Sequence, residues 1–75
     1  MGSEYVRQRG KQCGPGKYGK FRTLDQAKRV CNICPKCQGV MEYGCNGGTY
    51  YLCPIFSELE TSDSACVYAK SNRKW

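Results

Sequence analysis

Residues 23–37, TLDQAKRVCNICPKC, are the most strongly patterned stretch of this 75-residue chain. Thr23 and Gln26 have the spacing of a capping box, in which the threonine hydroxyl accepts a hydrogen bond from the backbone N–H three residues later. Asp25 falls in the first turn, where the helix dipole favours a negative charge. Asn32 is a residue type that ends helices, so the pattern predicts a short α-helix that stops there.

One face of the predicted helix is apolar. Leu24, Ala27 and Cys31 recur at the helical period, so we expect Cys31 to point into the core. Lys28 and Arg29 fall in the expected last turn, where the dipole favours cations. The helix is therefore expected to pack against another element rather than to carry chemistry.

Short strands are predicted after this helix. Residues 39–43 and 49–53 have strand composition, and the Asn-Gly-Gly sequence at 46–48 is a turn signal between them. The polar stretch 57–64 is expected to be a surface loop, and 66–70 a closing strand. The prediction is an α+β fold: a small disulfide-rich domain with one short helix packed on a small antiparallel sheet.

The chain holds seven cysteines and no histidine. A chain this short buries too little apolar surface to offset its conformational entropy, and cysteines at this density indicate disulfides. Disulfides persist in oxidising compartments, so we expect a secreted, extracellular protein. The odd count leaves one thiol that is free, pairs with another chain, or has lost its partner. The disulfide candidates are Cys13, Cys31, Cys34, Cys37, Cys45, Cys53 and Cys66.

A single disulfide-rich domain is expected over residues 13–70. Residues 1–12 are expected to be a flexible tag or N-terminal segment, and 71–75 a basic tail. The first three residues, Met-Gly-Ser, precede charge rather than an apolar stretch, so we interpret them as a remnant of expression on a mature protein or excised domain. No apolar run approaches the roughly 18 residues that span a bilayer, so no membrane span is expected.

The sequence gives little support for catalysis or metal binding. Histidine, the usual general base, is absent, so we expect no enzyme and assign no catalytic residue. Cys31, Cys34 and Cys37 have zinc-ligand spacing, but the second Cys-x2-Cys pair of a zinc ribbon is missing. The Cys-Pro-Lys-Cys sequence at 34–37 has thioredoxin-type spacing without the βαβ context. We therefore expect no metal and no other cofactor.

Positive charge is concentrated at the two ends of the chain, whose net charge is +6. Residues 1–36 hold nine Lys and Arg against two acids, whereas 37–69 hold four acids and no Lys or Arg. If the ends meet, they form a basic face that attracts an acidic glycan, anionic lipid or acidic protein; the alternative is a solvated surface that maintains solubility. Nucleic acid is not expected, because Tyr43, Tyr50 and Tyr51 lie in the acidic stretch rather than among the lysines. The candidate ligand-binding residues are Lys17, Tyr18, Lys20, Phe21, Arg22, Lys28 and Arg29, with Tyr18 or Phe21 as the aromatic anchor.

Four segments resemble the PAN/apple-like domain. The segment LDQAKRVC at 24–31 is similar to its cysteine-bearing helix, and PKCQGV at 35–40 to its strand entry. GTYYLC at 48–53 is similar to its hairpin, and VYAK at 67–70 to its closing strand. The resemblance implies an extracellular, non-catalytic module of the adhesion type that recognises a protein or an acidic carbohydrate.

The same resemblance implies a disulfide pairing. By it, Cys31 would pair with Cys53, and Cys13 with Cys66. Cys37 would take Cys34 or Cys45, which leaves one thiol over for an intermolecular disulfide.

A second resemblance is to the cysteine-rich repeat of tumour necrosis factor receptors. The segment CGPGKY at 13–18, followed by the cysteine spacings as far as Cys53, is similar to one such repeat. It implies the pairs Cys13–Cys31, Cys34–Cys45 and Cys37–Cys53, with Cys66 unpaired. A third hypothesis is a freestanding secreted toxin, antimicrobial or signalling peptide, which fits the basic charge but lacks a long amphipathic basic stretch.

Overall fold

The computed structural model describes residues 4–71 of the chain. One α-helix packs on a five-stranded antiparallel sheet stapled by three disulfides, which confirms the predicted α+β disulfide-rich class. The strand order β1-β5-β3-β4-β2 puts β1 and β2 at opposite edges of the sheet. The elements are β1 (Tyr5–Cys13), β2 (Tyr18–Phe21), α1 (Leu24–Ile33), β3 (Cys37–Glu42), β4 (Tyr50–Pro54) and β5 (Leu59–Lys70).

The amino end of α1 forms as the sequence predicts. Thr23 has extended backbone angles (φ −129°, ψ 151°), and its Oγ1 accepts a hydrogen bond from the Gln26 backbone N–H at 3.2 Å. Ala27 and Cys31 are the buried residues of the helix and face the sheet. The capping interaction and the apolar stripe together explain why this segment is the single helix of residues 4–71.

The carboxyl end of α1 differs from the prediction. The helix continues through Asn32 to Ile33, and its last turn contains no basic residue. Lys28 and Arg29 therefore lie too early in the helix to serve its last carbonyls, and that part of the prediction is wrong. Tertiary contacts extend α1 past Asn32, although asparagine is a residue type that often ends a helix.

A lysine from β5 supplies the positive charge at this end of the helix. Lys70 is only 5% exposed, and its Nζ donates to the carbonyl oxygens of Cys31 at 2.5 Å and Cys34 at 3.4 Å. The last carbonyls of a helix have no partner within the helix, and its dipole is negative there. The Lys70 ammonium therefore attaches the end of α1 to the last residue of β5.

Alternating residues of the central strands build a small core on both sides of the sheet. On the side covered by α1, the buried cluster comprises Ala27, Cys31, Cys37, Val40, Tyr50 and Leu52. On the opposite side, the buried cluster comprises Cys13, Met41, Cys53, Val67 and Ala69.

The long β1–β5 ribbon overturns two predictions. Residues 5–12, expected to be flexible, form most of β1, and residues 59–64, expected to be a loop, belong to β5. The two strands pair from Tyr5 opposite Lys70 to Cys13 opposite Leu59, with an irregular register at Gly10, where φ is 76°. Many side chains in these segments are exposed, so the sequence shows no alternating apolar pattern that would predict a strand there. Backbone hydrogen bonds between the strands stabilise the ribbon instead.

The three disulfides attach outer elements to the inner strands: Cys13–Cys53, Cys31–Cys37 and Cys45–Cys66. The Cα atoms of Cys13 on β1 and Cys53 on β4 are 5.8 Å apart, although β5 and β3 lie between these strands in the sheet. Adjacent strands are spaced by about 4.8 Å, so a flat sheet could not bring these two residues together. The ribbon must therefore bend back over the sheet, and a bulge at Gly10 provides such a bend.

The pairings implied by the apple resemblance are wrong. Cys31 faces the helix-side cluster, whereas Cys53 belongs to the opposite cluster, so the sheet separates the two sulfurs. Cys13 lies four residues along β1 from the partner of Cys66, which is too far for a bond. Cys37 pairs with Cys31, at a Cα separation of 5.2 Å, and not with either cysteine expected for it.

The pairings implied by the receptor resemblance are also wrong. Cys13 and Cys31 lie on opposite sides of the sheet. Cys34 and Cys45 flank opposite ends of β3, and Cys66 is bonded rather than unpaired. The free cysteine is Cys34, which is half-buried.

Replacing Lys70 tests the link between α1 and β5. We expect Lys70→Met to lower the free energy of unfolding by about 1–3 kcal/mol, because two helix carbonyls lose a charged donor. Urea denaturation with the disulfides intact measures this change. Lys20→Met, at an exposed position, is the matched control and should stay within about 0.5 kcal/mol of the wild type. Equal stability of the two variants would contradict a structural role for Lys70.

Candidate binding surface

The ligand residues predicted from the sequence do not form one cluster. Tyr18, Lys20 and Phe21 belong to β2, at the sheet edge opposite β1. Lys28 and Arg29 lie on α1. The candidate ligand residues on these elements are therefore divided between a strand edge and the helix.

The two ends of the described part of the chain meet at the β1–β5 pair. Tyr5 on β1 is the register partner of Lys70 on β5. The Lys70 ammonium is buried at the end of α1, so it adds nothing to the surface charge. Arg73 and Lys74 lie outside the described residues.

Two cations meet over one tyrosine ring on the helix side of the sheet. The Lys28 Nζ lies 5.7 Å from the ring centroid of Tyr68 and 5.2 Å from that of Tyr5. The guanidinium carbon of Arg7 lies 5.9 Å from the Tyr68 centroid. The negative face of an aromatic ring attracts cations at this range. We call Tyr5, Arg7, Lys28 and Tyr68 the tyrosine–cation cluster.

Strand register and one hydroxyl position this cluster. Tyr5 and Arg7 are two residues apart on β1 and share a face, and Arg7 is the register partner of Tyr68. The Tyr5 hydroxyl donates to Asn32 Oδ1 at 2.7 Å and lies 3.3 Å from the carbonyl oxygen of Lys28. Burial raises the pKa of Tyr5, so the hydroxyl stays a neutral donor that links β1 to the carboxyl-terminal part of α1.

The two cations of the cluster are free of carboxylate partners. Within residues 4–71, no acidic side chain forms an ion pair with Arg7 or Lys28. Arg7 is exposed and Lys28 is half-buried. Two positive groups held near one ring, and not neutralised by an acid, can accept a sulfate, carboxylate or phosphate group from outside.

Lys17 belongs to a separate site on the other side of the sheet. Its Nζ lies 5.4 Å from the ring centroid of Tyr43 and 5.7 Å from that of Tyr51, two rings in edge-to-face contact at 5.7 Å. A hydrogen bond to Tyr43 raises the pKa of Lys17, whose ammonium remains fully exposed. Lys17 and Lys28 therefore cannot contact one small anionic group together.

The predicted aromatic anchors contribute to the core instead of protruding. Tyr18 and Phe21 are half-buried and pack against the helix-side cluster. Lys20 and Arg22 are exposed beside them. The most exposed large apolar side chains in residues 4–71 are Ile33 and Phe56, at 82% and 76%, and the sequence patterns singled out neither.

The free thiol of Cys34 has a polar environment of its own. Its Sγ lies 3.4 Å from the Tyr18 hydroxyl. This hydrogen bond, followed by one from the Lys36 backbone N–H, lowers the pKa of Cys34 below the usual thiol value. Burial, together with the same thiol, raises the pKa of Tyr18 to about 12. When Cys34 ionises, the Tyr18 hydroxyl therefore remains neutral and donates to the thiolate.

Residues 4–71 offer no group of three or more His, Cys, Asp or Glu side chains arranged to hold a metal ion. The same residues contain no helix long and apolar enough to cross a membrane. The chain matches no protein-family model, no curated protein and no solved structure.

Three members of the tyrosine–cation cluster are not among the ligand residues predicted from the sequence. Tyr5 and Arg7 lie in the segment expected to be flexible, and Tyr68 lies in the predicted closing strand. The spacing of Tyr5 and Arg7 could have predicted that they lie together, because residues two apart on a strand share a face. Their partner on β5 depends on strand register, which this short polar segment does not reveal.

Removing the Tyr18 hydroxyl tests the activation of Cys34. In Tyr18→Phe the thiolate loses its donor, so the pKa of Cys34 should rise and the rate of iodoacetamide alkylation at pH 7 should fall. Alkylation rates between pH 6 and pH 10, followed by intact mass, measure this shift. Tyr43→Phe, whose ring lies on the other side of the sheet, should leave the profile unchanged. Coincident profiles for Tyr18→Phe and the wild type would overturn the assignment.

Proposed function

We propose that this protein is an extracellular, non-catalytic binding module that recognises an acidic carbohydrate. The single observation that carries this proposal is the tyrosine–cation cluster. An acidic surface on a protein is the second candidate ligand, because it presents the same carboxylate chemistry.

The disulfides support the extracellular assignment. Three cysteine pairs lie at bonding distance in a chain of 75 residues, and such bonds persist where the surroundings are oxidising. A rigid, covalently stapled surface also suits a binding module, since little conformational entropy is lost when a ligand docks.

Charge and aromatic character together support an acidic glycan as ligand. Arg7 and Lys28 attract sulfate or carboxylate groups, and Arg29 extends the positive charge along the exposed side of α1. Tyr5 and Tyr68 keep Lys28 close to the sheet, so its side chain loses less freedom on binding. The expected interaction is therefore electrostatic, salt-sensitive and centred on the helix.

We also propose that the chain is PAN/apple-like. In support, the helix and the antiparallel strands lie where the four resembling segments suggest them. The disulfide pairing differs from the one that the resemblance implies, so any relationship would include rearranged cysteines. The proposed absence of catalysis is supported by the lack of histidine in the sequence.

A covalent partner is a further part of the proposal. Cys34 is half-buried and unpaired, so it is the cysteine through which a disulfide to another chain would form. Its lowered pKa increases the thiolate fraction that such a reaction requires.

Charge reversal on the helix tests the binding surface. We expect the double variant Lys28→Glu with Arg29→Glu to elute from immobilised heparin at clearly lower salt than the wild type. Lys20→Glu with Arg22→Glu changes the net charge by the same amount at the β2 side. That control should elute close to the wild type. Salt-gradient elution at pH 7 measures both, because exposed charge contacts weaken as salt screens them.

Two outcomes would count against the proposed surface. An equal shift for both double variants would mean that net charge alone governs retention. An unchanged profile for the helix variant would remove the tyrosine–cation cluster from the site. Displacement from the column by an acidic polypeptide at a lower concentration than free heparin requires would favour a protein ligand over a glycan.

A further inference from the structure

The Cys45–Cys66 disulfide differs from the other two in its access to solvent. Cys13, Cys53, Cys31 and Cys37 are each at most 5% exposed. Cys45 is only half-buried, and a cleft of about 310 Å³ opens beside this disulfide, lined by both of its cysteines. A small molecule can therefore approach this bond without unfolding the domain.

The Arg7 guanidinium lies close to both sulfurs of the Cys45–Cys66 disulfide. The Arg7 Nη2 lies 2.9 Å from Cys45 Sγ and 3.8 Å from Cys66 Sγ. A positive group beside sulfur stabilises the thiolate, and a better-stabilised thiolate is a better leaving group. Neither sulfur carries charge while the disulfide is closed, so this stabilisation grows as the bond opens.

The backbone at Cys45 is held in a conformation that a cysteine rarely adopts. Its φ is 53°, in the left-handed region, and it is the one residue other than glycine with positive φ in residues 4–71. The surrounding loop is also held by Glu42, whose buried carboxylate accepts the backbone N–H groups of Asn46 at 3.0 Å and Gly48 at 2.6 Å. Opening the disulfide releases the constraint at Cys45, while Glu42 retains its hold on the loop.

We propose that the Cys45–Cys66 disulfide is a modification site for small anionic thiols of the glutathione class. The incoming thiol loses its proton to solvent, and its thiolate attacks Cys45 Sγ from the cleft. The Cys45–Cys66 bond breaks, and its electron pair leaves with Cys66 Sγ as a thiolate beside Arg7. The product is a mixed disulfide on Cys45: the sulfur of the incoming thiol is oxidised to the disulfide level, Cys66 is reduced, and the thiol is the only reagent consumed.

The cleft favours an anionic thiol over a neutral one. Arg9 lines it and is exposed, so it offers a positive group to a carboxylate of the incoming thiol. Asp63 also lines the cleft and offers a carboxylate to the ammonium of a peptide thiol. Opening this one bond detaches the loop at 43–49 from β5 and leaves the two buried disulfides intact.

The experiment follows each disulfide during exposure of the folded protein to reduced glutathione. Timed samples are quenched with acid, alkylated and mapped by mass spectrometry of a non-reduced digest. The protein carries Cys34→Ser, so that its free thiol cannot compete. We expect glutathione on Cys45 and an alkylated Cys66 to appear at least tenfold faster than any opening of the other pairs. Faster opening of either buried disulfide would overturn the proposal.

Substitution of Arg7 tests whether the guanidinium, and not only the solvent exposure of Cys45, makes this disulfide reactive. Arg7→Gln should slow the reaction by about three- to tenfold, because the leaving thiolate loses its positive neighbour. Arg7→Lys keeps the charge and should react at nearly the wild-type rate. Lys11→Gln is the matched control for net charge, because Lys11 lies on the same strand but pairs with Thr61 rather than with Cys66. If Arg7→Gln and Lys11→Gln react alike, the guanidinium has no role and the proposal fails.

A comparison of an anionic with a neutral thiol tests whether the cleft prefers an anionic one. Arg9→Gln should slow the reaction with glutathione but leave that with the neutral thiol β-mercaptoethanol unchanged. Circular dichroism before the reaction confirms that each variant is folded. An equal effect of Arg9→Gln on both thiols would remove the proposed preference for an anionic one.

Discussion

The covalent attachment of outer elements to the inner strands is the constraint on which the rest of this structure depends. Cys13–Cys53 holds the bent ribbon over the sheet, Cys31–Cys37 ties α1 to β3, and Cys45–Cys66 ties the loop at 43–49 to β5. Their sequence separations are 40, 6 and 21 residues. In the chain-entropy account, the two long links are worth about 3–4 kcal/mol each and the short one about 2 kcal/mol. Four of the eleven residues in the two buried clusters are themselves cysteines, so the links also fill the core.

Positive charge has two separate roles in this molecule. Lys70 is internal and neutralises the carboxyl end of α1, so it acts as part of the architecture. Lys17 and Lys28 each lie over two tyrosine rings, on opposite sides of the sheet. The basic first half of the chain therefore packs its cations against tyrosines drawn largely from the acidic second half. Within residues 4–71, Arg7 and Lys28 therefore contact aromatic rings rather than carboxylates.

Sulfur chemistry is confined to the periphery of the domain. The two buried disulfides lie within the core clusters, and each of their cysteines is at most 5% exposed. The reactive positions are Cys34, beside the Tyr18 hydroxyl, and Cys45, beside the Arg7 guanidinium. In both places a neighbouring donor favours the thiolate form of sulfur. The proposed glycan surface and the proposed thiol site share Arg7, so a change at Cys45 would also affect a cation of the binding cluster.

Local sequence determined the disulfide-rich α+β class, the capped start of α1, and the two strands on either side of the 46–48 turn. These features depend on hydrogen bonds and side-chain periodicity within a few residues, which a single sequence displays. Only the tertiary structure decided the strand at 5–13, the cysteine pairing, and the place of Lys70 at the end of the helix. Each of these joins residues far apart in the chain through strand register and through the side of the sheet that a residue faces. A one-residue change of register would turn Arg7 away from Tyr68 and Cys53 away from Cys13, and no local pattern records that choice.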